Sequence, residues 1–169
     1  MRKILKTVDL ISEYTGQIAK WFCLGLIIVL VYETTARYVF NAPTDWAQPM
    51  TMMLWGAITL LGLAYVQRHH RHIRVDVFYG KLSLRGKAIV DIVFSLLILF
   101  PLLFVLARVA GTFMVQSVVR HEVMSETLWY PPASPFRTVL FVGFLLFILQ
   151  SIAEFIRNLN IAIRNKPYD

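Results

Sequence analysis

Four apolar runs of about 20 residues each, at 21–40, 46–66, 88–108 and 136–156, constrain this chain more than any other feature. A helix rises about 1.5 Å per residue, so each run is long enough to cross the roughly 30 Å hydrocarbon core of a bilayer. Because 57% of the 169 residues are hydrophobic and only 16% are charged, little chain is left between the runs for a separate globular domain. The expected fold class is an all-α integral membrane protein: four transmembrane helices with amphipathic interfacial segments, read as one membrane domain over 1–169.

The connectors carry the polar residues. Arg2, Lys3 and Lys6 begin the chain as a signal peptide would, until Asp9, Glu13 and Lys20 interrupt the apolar stretch, so an uncleaved anchor is expected. Ile4, Val8, Ile11 and Ile18 recur near helical spacing, predicting a helix on or entering the membrane surface before the first span. The turn Asn41-Ala42-Pro43-Thr44-Asp45 folds the first two spans into a hairpin. The 67–87 loop is basic, with Arg68, Arg71, Arg74, Lys81, Arg85 and Lys87 set against Ile73, Val77, Phe78 and Leu82. It reads as an interfacial amphipathic segment whose six cations are candidate lipid-headgroup contacts. Pro101 predicts a kink in the third span. Beyond Arg108, Phe113, Met114, Val118 and Val123 keep a helical pattern until Pro131, Pro132 and Pro135, so the third helix is expected to project out of the membrane within the 109–135 loop.

Lys and Arg concentrate before the first span, in the 67–87 loop and in the tail, whereas the 41–45 turn has none and the 109–135 loop holds only Arg120 beyond the span end. Both termini are therefore expected to be cytoplasmic. The same clustering between apolar runs assigns the net charge of +7 to anionic lipid and not to nucleic acid.

Charges within the spans are the candidate functional residues. Glu33 and Arg37, one turn apart, form a candidate intramembrane ion pair or subunit contact; the competing reading makes Glu33 a proton or cation site. Asp91 follows Lys87 by one turn, and Glu154 lies between Gln150 and Arg157, so both carboxylates have partners at hand. Gln150, deeper in the fourth span, is a candidate for an interhelical hydrogen bond or a transport path. Gly56, Thr59 and Gly62 are small enough to let helices approach, and Cys23, the only cysteine, is expected as a small buried apolar residue. His69, His70, His72 and His121 all fall outside the spans, so the intramembrane axial ligands of a cytochrome are missing, and Arg68, Arg71 and Arg74 would repel a metal cation from the first three. No nucleotide loop, activated nucleophile or acid pair appears, so neither enzymatic activity nor a cofactor is expected.

One stretch carries a family resemblance. Trp55-Gly56, Leu61-Gly62-Leu63-Ala64-Tyr65, Gln67-Arg68 and then His72-Ile73-Arg74-Val75-Asp76-Val77-Phe78-Tyr79 resemble the small permease subunit of tripartite ATP-independent periplasmic (TRAP) transporters. The likeness runs from about residue 20 to residue 157, with Ser117, Glu122, Ser125, Pro132, Gln150 and Glu154 resembling the branch that has a longer outer loop. Gln48 and Pro49 stand where many members have two acids. The resemblance implies a bacterial inner-membrane scaffold subunit of a sodium-coupled organic-acid importer, partnered by a large multi-span membrane subunit and a periplasmic substrate-binding protein. Substrate and sodium would then be held by the large subunit, and Glu122, Glu126 and Trp129 become candidate periplasmic docking residues. Two alternatives stand beside it: a self-sufficient small exporter working through Glu33, and a membrane anchor for a redox complex.

Overall fold

The computed structural model describes residues 2–69, 82–125 and 128–164. It contains α1 (Arg2–Tyr38), α2 (Ala47–Arg68), α3 (Leu84–Val119) and α4 (Ser134–Arg164). All four are long and apolar enough to cross a membrane. Of the candidate headgroup contacts, Arg71, Arg74 and Lys81 lie outside the described residues, as do His70, His72 and the docking candidate Glu126.

α1 departs from the expected surface helix followed by a span, because it is continuous from Arg2 to Tyr38. Charged side chains do not break a helix; proline does, and 2–38 contains none. Its packed face is not the isoleucine face either. Leu5, Ser12, Gly16 and Ala19 are buried, whereas Ile4, Ile11 and Ile18 are exposed. With lipid outside, large apolar side chains gain nothing by turning inward, and small residues let backbones close up. The whole bundle follows that rule: its interior is mostly alanine with Ser12, Ser117, Gln150 and Ser151. Cys23, expected inside, is exposed.

At the end of α1, Asn41 takes a left-handed backbone (φ 49°) and the Ala42 N–H donates to the Ala36 carbonyl at 3.0 Å. Asparagine is among the few residues that tolerate this conformation. α2 then starts with Pro49 in its first turn, where a missing N–H loses no helical bond, and Pro49 is fully buried there. α3 begins at an N-cap, with the Ser83 hydroxyl accepting from the Gly86 N–H at 3.2 Å. Near Pro101 the helix widens into a π turn over Ser95–Leu99, where the Phe100 N–H donates to the Ser95 carbonyl. Proline supplies no N–H and crowds the carbonyl four residues earlier, and one extra residue in the turn relieves both. α3 closes with the Glu122 N–H on the Ser117 carbonyl (3.1 Å) and His121 left-handed (φ 49°), a Schellman ending.

α4 is the central element, packing against α1, α2 and α3. α2 and α4 approach closely at Gly143, where an added Cβ would lie 2.8 Å from the Leu60 Cβ and 3.2 Å from the Leu60 carbonyl carbon. α1 meets α2 at Gly16, which lies against the Tyr65 side chain. Of the small residues singled out in α2, Gly56 sits under the Phe136 ring, Gly62 has open space beside it, and Thr59 is exposed with its hydroxyl on the Trp55 carbonyl (2.9 Å).

Candidate functional site

Three helices bring a polar network together at one end of the bundle. On α1, Leu5, Asp9, Ser12, Gly16 and Ala19 alternate at spacings of four and three, which keeps them on one seam. On α4, Gly143, Phe147, Gln150, Glu154 and Arg157 follow the same rhythm. Where the seams meet, the Ser12 hydroxyl donates to Gln150 Oε1 at 2.8 Å, and Gln150 Nε2 donates to Asp9 Oδ1 at 3.2 Å. Arg157 Nη2 donates to Asp9 Oδ2 at 2.5 Å, and its Nη1 reaches Glu154 Oε2 at 3.3 Å. Gln150 is fully buried, and Asp9 and Arg157 each retain only 19% of their side-chain exposure. α2 joins through Arg68, whose Nη1 donates to Glu13 Oε2 at 2.5 Å and to the Asp9 carbonyl at 2.8 Å. Ser151 ties α4 to α2 by donating to Gln67 Oε1 at 3.0 Å. Three carboxylates face two guanidinium groups, and no buried side-chain nitrogen or oxygen among the described residues lacks a partner, so this arrangement locks helices together.

Gln150 and Glu154 were visible in the sequence; Asp9, Ser12 and Glu13 were not. The seam spacing on α1 is the signal that could have found them. Arg68, grouped by sequence with the headgroup cations, reaches α1, while Arg85 is exposed and Lys87 half-buried. Asp91 and Lys87 are both engaged in polar contacts.

At the opposite end of α1, Arg37 donates to Glu33 Oε1 through Nε (3.0 Å) and Nη2 (2.6 Å). The other carboxylate oxygen accepts from the Thr44 N–H at 3.3 Å and from the Thr44 hydroxyl. Tyr32 packs against Trp46 with ring centroids 5.4 Å apart. Glu33 thus fastens the α1–α2 turn, a partner in Thr44 that the i, i+4 pattern did not reveal.

The 120–133 loop doubles back on itself, with Val123 bridged to Pro132 and the Met124 N–H on the Pro131 carbonyl at 2.9 Å. Glu122 pairs with Arg137 at the start of α4, and Arg137 also donates to the Phe113 carbonyl at 3.3 Å. Trp129 is half-buried and in contact with its surroundings, whereas Leu128 and Tyr130 are 76% and 57% exposed. Beneath the loop, α3 and α4 enclose a cleft of about 520 Å³ whose only polar lining side chains among the described residues are Ser125 and Arg137. With Arg137 already bound to Glu122, the described lining is mostly apolar and brings no catalytic set together. Among the described residues, no three His, Cys, Asp or Glu side chains come together as metal ligands.

Residues 26–160 match a family model described as tripartite ATP-independent periplasmic transporters, DctQ component. No curated protein matches the chain.

Proposed function

Because the chain belongs to the DctQ family, the small membrane component of TRAP transporters, we propose that it is the static scaffold of a sodium-coupled, binding-protein-dependent importer of organic acids. One observation supports this reading above the others: every carboxylate in the described helices is already engaged. Asp9 and Glu154 hold Arg157, Glu13 holds Arg68, Glu33 holds Arg37 and Thr44, and Asp91 has its own contacts. A carrier needs a membrane carboxylate that can change its charge or its ligand, and these are committed to holding helices. Substrate and sodium then belong to the large subunit, against which this chain is fixed. The basic residues flanking α1 and α2 on the Asp9 side support an inner-membrane orientation with both termini cytoplasmic.

Purifying a tagged copy from native membranes in mild detergent should recover a stoichiometric, much larger multi-span protein. Elution alone, with transport surviving reconstitution, would sink the scaffold reading. Glu33→Gln should keep substrate uptake near the wild-type rate, because Gln still accepts from Thr44 and the Arg37 partner is half-exposed, so solvent screens the lost ion pair. Abolished uptake in this variant would make Glu33 a carrier site.

The exposed tip of the 120–133 loop is the proposed docking point for the periplasmic binding protein. Exposed loops braced by rigid helices commonly carry recognition, and aromatic anchors dominate interface energies. Replacing Leu128 and Tyr130 together by aspartate should lower uptake about tenfold at limiting binding protein and leave it little changed at saturation. Equal uptake at both concentrations would remove the docking role.

A further inference from the structure

We infer that the cleft between α3 and α4 is a phospholipid site, with an acyl chain inside it and the phosphate on Arg137. Such a site requires only that the chain sits in a bilayer, whether or not the chain is a scaffold. The described lining runs from Leu106 to Phe113 on α3 and from Arg137 to Phe144 on α4. Each stretch advances seven residues, about 10 Å of helix. Because Arg137 donates to the Phe113 carbonyl, these two residues mark one end of the cleft, and Leu106 and Phe144 mark the other.

The dimensions select the occupant. Spread over that length, about 520 Å³ makes a channel about 8 Å across, narrower than the roughly 10–12 Å of a helix with its side chains. An acyl chain fits where a helix of another protein does not. Val109 and Phe113 on its wall are 44% and 51% exposed, so the cleft is open along its side and a chain can enter from the surrounding lipid. An apolar cleft with one cation at its end suits an amphipathic molecule.

The cation selects the headgroup. Arg137 uses Nη1 for both Glu122 and the Phe113 carbonyl, whereas its Nε and Nη2 make no hydrogen bond with the described residues. Those two nitrogens share one edge of the guanidinium, the edge by which Arg37 holds Glu33. A phosphate can take the same edge through two of its oxygens. The guanidinium is held 5.5 Å over the Phe113 ring, yet 29% of the side chain stays exposed. Its place along the chain agrees. The fourth apolar run begins at residue 136, so Arg137 stands at a span end, where long cationic side chains reach the headgroup layer. The remaining α4 lining continues into the apolar run.

The full chain purified in mild detergent should carry one phospholipid per chain in native mass spectrometry. Ala110→Phe, which builds a ring into the lining from α3 and leaves Arg137 in place, should reduce that retention at least tenfold. Thr59→Phe, at an exposed position on α2, should retain lipid as the unsubstituted chain does. Arg137→Gln should lower retention at least fivefold, whereas Glu122→Gln, which breaks the same ion pair but keeps the guanidinium, should leave it at or above the unsubstituted level. An unsubstituted chain without phospholipid, undiminished retention in Ala110→Phe, or equal loss in Thr59→Phe would overturn the site. A loss in Arg137→Gln no larger than that in Glu122→Gln would overturn the phosphate contact. In the native membrane, a photo-crosslinking residue at Val109 should label phospholipid, and a large membrane subunit or a second copy as the main product would overturn the choice of occupant.

Discussion

Gly143→Leu is expected to lower the thermal midpoint of the purified protein in mild detergent by about 10 °C. Even a methyl group at this position would stand 2.8 Å from the Leu60 Cβ and 3.2–3.3 Å from the Leu60 carbonyl group. These atoms cannot swing aside as the tip of a side chain can, so α2 and α4 must separate. Gly143→Ala should show an intermediate loss of about 1–3 kcal/mol, the usual range for overpacking. Gly62→Ala is the control, since nothing lies within 4 Å of its added Cβ. It should be neutral or slightly stabilising, because alanine favours the helix. Equal losses at Gly62 and Gly143 would mean that helix propensity, and not interhelical contact, sets the effect.

The second large effect is expected at Asp9. Asp9→Leu removes the 2.5 Å partner of Arg157 and the acceptor of the Gln150 amide, and leaves a mostly buried guanidinium with only the 3.3 Å contact to Glu154. Losing one partner of such a pair costs about 3 kcal/mol, because the remaining charge keeps its desolvation penalty. Arg157→Leu should cost a similar amount. The double variant should cost less than the sum by about 1–3 kcal/mol, since neither charge is then left alone. Unfolding curves for the four chains measure this coupling, and strict additivity would show that Asp9 and Arg157 do not interact in the folded protein.

These two sites also show what the sequence could reveal. The four spans were legible because a run of about 20 apolar residues has few stable alternatives to a membrane helix. The pairing of Glu33 with Arg37 was legible because it is local, one turn along one helix. Asp9 was not, because its partners are 141 and 148 residues away. In one dimension it appears only as a charge interrupting an apolar segment. The continuous α1 was missed for the same reason: Asp9, Glu13 and Lys20 suggested an interface, but Asp9 and Glu13 are neutralised by α2 and α4 within the fold. Gly56 and Gly62 read alike in sequence and differ only in what stands opposite them. The distinction between Gly143 and Gly62 belongs to the packing of α2 on α4, which no pattern within either helix contains.

The unequal helix lengths have a consequence for the surrounding bilayer. α2, with 22 residues, is about 33 Å long and close to the thickness of the hydrocarbon core, but α1 with 37 residues and α4 with 31 reach about 55 Å and 46 Å. Helices fastened together at Gly143 and at the Asp9 network cannot each adjust independently. The longer ones either lean over as a unit or stretch the lipid around them, and each ångström of mismatch carries a small elastic cost. Acyl-chain length thereby becomes a control on the bundle's inclination.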